Sequence, residues 1–485
     1  MTNQTAKFVE GSTMRHILVM SGAGSVGLMA LFVVDLLDML FISMLGQIEL
    51  AAAVGFAGTL TFFSTSVSIG TSIAMGALVS KAIGAKDREH ARHLSSSIMM
   101  TAFAISAIIT AVMYAHIPEL LSAIGAKGLA AERAAAYLQI LLPSGPFLAL
   151  AMAAGAGLRA AGDAKRSMWA TLSGGIVNAI LDPLFIFGFG WNIEGAAIAS
   201  VIARFAVLFF SIYPLIRDHD LVASPTYRAW RSNLRVILAI ALPAIITNAA
   251  TPIGNAIVTT GIAQYGEDFV AGFAVIGRLT PVCFAVIFAL SGAVGPIIGQ
   301  NFGAGRVDRV KETLNNSLLV TTIYTIIVCT ILYFVQDFII LGFSLEGDAA
   351  IIVGAFCTYI ALTFIFNGAL FVANTSFNNL GKPLYSTALN LSKATLGTLP
   401  FVYFGSEWYG ALGVIYGQAV GNILFGLIAI VVLRFHIAEL TAGSKVEVEE
   451  EDVSIVSLNT QPFCSHDAVL IDDVSTNRDE TAEAK

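Results

Sequence analysis

The chain has 485 residues, of which 56% are hydrophobic and 12% charged, with a mean hydropathy of +0.79. Soluble domains carry about 25% charged residues, so this balance excludes a water-soluble globular protein and places most of the chain in lipid. The net charge of −7 sits in the tail: beyond Lys445 there are eleven acids and two bases, which leaves 24 bases against 22 acids in the remainder.

In chain order, twelve apolar stretches of bilayer length are expected at 15–42, 50–79, 93–116, 134–157, 168–190, 194–216, 234–263, 269–299, 315–336, 349–376, 384–405 and 410–434. About 20 residues cross a bilayer as a helix, so the longer stretches predict tilted or protruding helices. Residues 1–13 precede the first span. A basic loop, 217–233, carries Pro225 and separates the sixth span from the seventh. Residues 437–485 form the acidic tail, expected to be disordered and solvated. The predicted architecture is an all-α membrane protein with two six-helix lobes, 14–216 and 234–436.

Lys and Arg mark the loops after even-numbered spans: Lys81, Lys86, Arg88 and Arg92; Arg159, Lys165 and Arg166; Arg217, Arg228, Arg231 and Arg235; Arg306, Arg309 and Lys311; and Lys382. The loops after odd-numbered spans hold little beyond Lys127 and Arg133. The positive-inside rule then predicts a multi-pass protein of the plasma membrane (the inner membrane of a bacterium) with both termini cytoplasmic.

The two halves share a pattern. Leu45-Gly46-Gln-Ile-Glu leads into an apolar span that closes at Lys81-Ala-Ile-Gly84-Ala-Lys-Asp. Tyr265-Gly266-Glu-Asp leads into another that closes at Gln300-Asn-Phe-Gly303-Ala-Gly-Arg. The offset is about 220 residues. Both halves start on the same side, so the repeat is parallel, with its axis along the membrane normal. Duplicated membrane bundles suit alternating access around a central site.

Cys283, Cys329, Cys357 and Cys464 show neither metal spacing nor a disulfide framework. The seven histidines lie at span ends, in loops or in the tail, and no GxSxG, HExxH or Walker A sequence occurs. The residues therefore point away from an enzyme, a bound cofactor, a metal centre or a nucleic-acid partner. Gly22-Ala-Gly24-Ser-Val-Gly27 spells a dinucleotide-binding fingerprint. Its apolar run continues to Leu45 without the required second strand, so these glycines are expected to serve helix packing.

Ionisable groups inside spans carry the functional signal, because a carboxylate at a helix centre costs about 2.5–3.5 kcal/mol on insertion scales. Asp35 and Asp38 share one face of the first span. Asp182 lies in the fifth, with Asn178 one turn before it, and Ser200 lies in the sixth. Oxygens and an amide suit H⁺ or Na⁺, not a transition metal. The second half offers Arg278, Lys393 and the amides Asn248, Asn255, Asn367, Asn374, Asn378 and Asn390. Among them, Arg278, Asn374 and Lys393, together with Asp35, are auxiliary or substrate-contact candidates.

Three stretches resemble the multidrug and toxic compound extrusion (MATE) family. They are Val34-Asp35-Leu-Leu-Asp38-Met-Leu-Phe-Ile-Ser-Met-Leu-Gly46, Asn178-Ala-Ile-Leu-Asp182-Pro-Leu-Phe-Ile-Phe-Gly188 with Gly195-Ala-Ala-Ile-Ala-Ser200, and Gly299-Gln-Asn-Phe-Gly-Ala-Gly-Arg306. Arg159-Ala-Ala-Gly-Asp163 adds a fourth, weaker match, and the likeness spans about residues 14–435. The absence of acids from the seventh and tenth spans makes the chain similar to the DinF-like and archaeal branch. The resemblance implies two lobes in a V and cation-driven efflux of organic, amphiphilic cations. It implies a coupling site for H⁺ or Na⁺ at Asp38, Asn178, Asp182 and Ser200, in a monomer without a cofactor. Gly22, Ala23 and Gly24 stand where the family has a first-helix proline, Ala156 replaces an asparagine, and Ser200 replaces a threonine.

The alternative is a lipid-linked oligosaccharide flippase of the same superfamily. Its pyrophosphate substrate calls for several Arg or Lys residues in the cavity. Among the span residues singled out here, acids outnumber bases, which favours a cationic substrate.

Overall fold

The computed structural model describes residues 6–45 and 48–451, all of them in helices or the turns between them. Gly46, which closes the first-span motif, and residues 452–485 of the tail lie outside the described residues. By contacts the chain divides into residues 1–438, which hold the spans, and residues 439–485.

The first half is built from α1 (Thr13–Met44), α2 (Ile48–Gly84), α3 (Arg88–Ala115), the short α4 (Ile117–Ala123), α5 (Gly128–Leu141), α6 (Gly145–Ala160), α7 (Ala164–Pro183) and α8 (Asn192–Arg217). A 3₁₀ turn at Leu142–Ser144 joins α5 to α6, and together they make the fourth span. The second half is built from α9 (Tyr227–Ala263), α10 (Glu267–Cys283), α11 (Ala285–Gly303), α12 (Val307–Gly342), α13 (Gly347–Ala355), α14 (Phe364–Asn379), α15 (Pro383–Ala394) and α16 (Leu399–Glu451). These elements make twelve spans in two pseudo-symmetric lobes. The linker is shorter than expected, because the chain re-enters helix at Tyr227. At the other end α16 continues past residue 436 to Glu451, so the start of the expected tail is helical.

Besides the 3₁₀ joint of the fourth span, four spans are interrupted among the described residues, and three of these lie in the second half. The eighth breaks at Phe284, where Pro281 has removed an N–H from the last turn of α10. The tenth passes through a π-turn at Phe356–Ile360 and a 3₁₀ turn at Ala361–Thr363. The eleventh breaks between Ala394 and Leu399. In the first half, α7 ends at Pro183 and continues as a π-turn, Leu184–Gly188. Such breaks free backbone groups that lipid cannot satisfy, so they occur where protein or a cavity surrounds them.

The turns at the basic end share one geometry. Asp87 N–H donates to Ala82, Asp163 to Leu158, Arg306 to Asn301 and Lys382 to Phe377, each at 2.8–3.0 Å. The preceding residue is left-handed in every case: Lys86, Gly162, Gly305 and Gly381. This is a helix stop that glycine makes without strain, and Lys86 makes it at φ 61°. Asp87 and Asp163 then cap the next helix, accepting from the His90 and Arg166 N–H groups. Asp163 also meets His219 Nε2 at 2.9 Å and Arg166 Nη1 at 2.8 Å. Burial alone would raise its carboxyl. The bonds from His219 and Arg166 outweigh burial and hold it at about 2.

The lobes meet at this same end. α2 packs on α9 and α11, α1 on α11 and α12, and α3 on α9. A methyl group on Gly84 would overlap the Gln300 carbonyl, one on Gly303 the Lys81 carbonyl, and one on Gly299 the Ser80 hydroxyl. Of the fingerprint-like glycines, Gly24 lies against Ala289 and Gly27 against Thr171, which is the packing role expected for them. Residues 7–13 are laid across the junction. Phe8 is buried, its N–H donates to Gln300 Oε1, and its carbonyl accepts from Asn301 and Arg309. Lys7 Nζ donates to the Gly162 carbonyl, and Thr13 Oγ1 to Glu312.

The last hairpin is a glycine contact. At Gly410 the φ of 60° turns α16 back on itself. Methyl groups on Gly413, Gly417 and Gly421 would overlap the carbonyls of Gly405, Phe401 and Gly397 in turn. Small residues four apart let two membrane helices approach to backbone contact.

Candidate functional site

α1 and α7 bring the predicted carboxyls together. Asn178 is the bridge: its Nδ2 donates to Asp38 Oδ1 at 3.0 Å and to Asp182 Oδ2 at 2.7 Å. Asn178 and Asp182 are one helical turn apart on α7 and are buried at 5% and 0% exposure, while Asp38 is half-buried. The Asp38 and Asp182 carboxyls also lie within hydrogen-bonding reach of each other. Asp182 Oδ1 is buried and accepts no hydrogen bond. Asp182 comes just before Pro183, where α7 gives way to the π-turn, a local device common at functional sites. A carboxyl pair in this contact is stabilised by one proton between them or by one monovalent cation.

Ser200 lies on α8, and no hydrogen bond joins it to the pair among the described residues. The hydroxyl of Tyr137 on α5 reaches Ser200, and Tyr137 lies within electrostatic reach of Asp38, Asp182 and Arg204. Arg204, one turn beyond Ser200, donates from Nη1 to Ser144 Oγ at 2.8 Å and to the Leu141 carbonyl at 3.2 Å. Asp35 is exposed and within electrostatic reach of Asp38. Neither Tyr137 nor Arg204 was expected from the sequence, although an Arg inside an apolar span is itself a functional signal. Arg159, in α6, donates to Ser167 Oγ at 2.9 Å and lies close to Gly292 of the other lobe. With Arg204 and Lys393 counted, bases inside the spans equal Asp38 and Asp182 in number, Arg204 in the first lobe and Lys393 in the second. The charge difference instead separates the lobes.

The second lobe holds a cavity of about 550 Å³ between α9, α10, α11, α14, α15 and α16. Lys393 and Asn367 line it, and Lys393 Nζ donates to Asn367 Oδ1 at 2.6 Å. Asn255 and Asn390 line it as well. Arg278 is exposed and is not a lining residue, while Asn374 lies outside the lining with its buried Oδ1 unbonded. Among the described residues no cluster of His, Cys, Asp and Glu is arranged to hold a metal.

The MatE family model matches residues 25–184 and 243–404, one stretch in each lobe. The chain belongs to the MatE family. It is therefore a membrane transporter of the multidrug efflux family and not an enzyme, as the resemblance to MATE proteins implied. The FAD transporter of Shewanella oneidensis is 29% identical over 420 residues, 85% of this chain and 92% of that protein. The multidrug export protein MepA of Staphylococcus aureus strain MRSA252 is 24% identical over 430 residues, 87% of this chain and 94% of that one. An outward-facing structure of a multidrug resistance MATE family transporter of the MOP superfamily superposes with a TM-score of 0.85. It shares 21% identity and covers 91% of this chain and 99% of that chain. MatE architecture also accounts for the two matched segments, since each covers the corresponding spans of its lobe.

Proposed function

We propose that this MatE protein is a secondary antiporter that exports organic cations in exchange for H⁺ or Na⁺ bound in the first lobe. The observation that carries the reading is the Asn178 bridge between Asp38 and Asp182, which pairs carboxyls from two helices around an unbonded oxygen. With the pair charged, the lobe attracts a cationic amphiphile. When the pair is neutralised by the coupling ion, that attraction is removed. Ion and substrate then favour different lobe arrangements, which is the differential affinity that antiport requires. Ser200 and Tyr137 supply hydroxyls in the same lobe, and Asp35 adds negative charge at the mouth.

The close backbone contact of the lobes at the basic end supports a form closed on that side. The Lys and Arg distribution makes that side cytoplasmic, with both termini there, in the plasma membrane of a bacterial cell. The chain works as a monomer in this reading, since the site is complete within one copy.

The relatives differ in the charge of what their names say they carry. A flavin dinucleotide is an anion, and the carboxyls of the first lobe do not favour it. A flippase for lipid-linked oligosaccharides is supported less well, since one lysine lines the second cavity where a pyrophosphate calls for several bases.

The test is uptake of ethidium into proteoliposomes under an imposed pH gradient and then an imposed Na⁺ gradient, with Asp38→Asn and Asp182→Asn alongside. Gradient-driven transport lost in both variants supports the assignment, and the effective gradient names the ion. Coupled transport retained in Asp38→Asn overturns it.

A further inference from the structure

We propose that the cavity of the second lobe is a binding site for an aromatic molecule carrying one anionic group, a carboxylate or a phosphate ester, with Lys393 as its counter-ion. The proposal goes beyond the cation-exporter reading and rests on it only for the chain being a transporter.

The first argument is charge. Among the described residues, no lining residue of the cavity is acidic. The Lys393 ammonium has three donors, and among the described residues its hydrogen bond is to the neutral amide of Asn367. A cation at this depth without a carboxylate partner is costly, and side chains of this kind in membrane spans mark ligand sites. Nothing in the lining compensates the charge, so an anion entering the cavity gains a charge-assisted hydrogen bond that water would otherwise weaken.

The second argument is shape. Phe273, Phe288, Phe356, Phe364 and Phe371 wall the cavity. Phe288 is in ring contact with both Phe364 and Phe371, at 6.0 and 5.4 Å between centroids. Rings held this way offer an edge and a face to a flat guest. The volume of about 550 Å³ suits a drug-sized molecule and is too small for an oligosaccharide.

The third argument is the backbone. The eighth, tenth and eleventh spans all break beside this cavity, at Phe284, at Phe356–Thr363 and after Ala394. Lys393 lies in the last turn of α15, and its carbonyl is tied to the Thr398 hydroxyl at 2.9 Å across the break. Discontinuous helices at one place are how transporter folds build a substrate site. The interruptions and the uncompensated lysine are independent features, and they coincide.

The experiment is equilibrium binding to the purified full chain in neutral detergent. The probes are 2-anthracenecarboxylate, its neutral alcohol and its aminomethyl analogue, read by fluorescence. Saturable binding of the carboxylate in preference to both analogues is expected. Lys393→Met should weaken it about tenfold or more, and Lys393→Arg should retain it. Asn367→Asp keeps the lysine but sets a carboxylate against it, so it should abolish the preference in a protein whose fold is not at risk. Asp38→Asn should leave anthracenecarboxylate binding unchanged even where it abolishes gradient-driven efflux, which separates this proposal from the ion-site assignment. Equal binding in the wild type and Lys393→Met, or preference for the alcohol or amine, overturns the proposal. So does displacement of the probe by phosphatidylglycerol at concentrations where an added aromatic carboxylate fails, since that assigns the cavity to a lipid headgroup.

Discussion

Gly84 and Gly303 hold equivalent places in the two halves of the chain, and each lies against the backbone of the other's helix. The contact of Gly84 is with Gln300, three residues before Gly303, and the contact of Gly303 is with Lys81, three residues before Gly84. The relationship is reciprocal, and no side chain fits on either side of it.

Gly84→Val or Gly303→Val should therefore prevent the lobes from meeting at the basic end. In a background lacking Cys283, Cys329, Cys357 and Cys464, Ser80→Cys should react slowly with a membrane-impermeant maleimide in inverted vesicles. Adding either valine should speed that labelling and reduce efflux. Unchanged labelling would show that the contact yields easily.

Asn178→Leu removes the amide that donates to both Asp38 and Asp182 while keeping side-chain volume. Efflux driven by the effective gradient should fall about tenfold or more, the scale of losing hydrogen bonds to charged groups. Retention of the full rate would mean that the bridge is a packing feature.

Asp163 should give the fold an acid limb. Its carboxyl has an ordinary value of 3.8 when unfolded and is held at about 2 when folded. The ionised form thus contributes stability above pH 3.8 that is lost as pH falls towards 2. The size is on the order of 1–2 kcal/mol, because solvent partly screens the cluster. Thermal melting in detergent should show Asp163→Asn less stable than wild type at neutral pH, with the gap closing in acid. A gap of constant size across that range would remove the linkage.

Lys86→Gly should stabilise the protein by about 1 kcal/mol, because glycine takes the left-handed turn without the Cβ penalty. The other three turns of the set already carry glycine there. A lower melting temperature for the variant would show that the lysine side chain contributes more than its backbone costs.

In the last hairpin, Gly417→Leu should lower the melting temperature and the monodisperse yield, since the Phe401 carbonyl occupies the space a side chain needs. A leucine tolerated at this position would mean that the two helices can separate without loss.

Most of the spans were legible because hydropathy reports the surrounding solvent directly. Asp38 and Asp182 were legible because charge in an apolar stretch is rare, and Asn178 because it lies one turn before Asp182; that α1 brings Asp38 to them was implied by the resemblance and not by spacing. Arg204 carries the same signal but was not singled out, since one charge barely changes the average over a long span. Tyr137 could not be read, because an aromatic in a membrane helix usually serves packing. The breaks at Phe356–Thr363 and after Ala394 are equally hidden: their residues are apolar or small, and the pattern of a helix runs on through them. Gly413, Gly417 and Gly421 were readable in principle from their spacing of four, which marks a close helix pair.

The reciprocal glycine contact has a consequence for origin. In a dimer of two identical half-length chains related by a twofold axis, one glycine would serve both faces, since an isologous interface uses the same patch twice. Gene fusion turns that single requirement into two. Each glycine is then held in place by a carbonyl from the other half, so the two copies can no longer drift apart independently at this point.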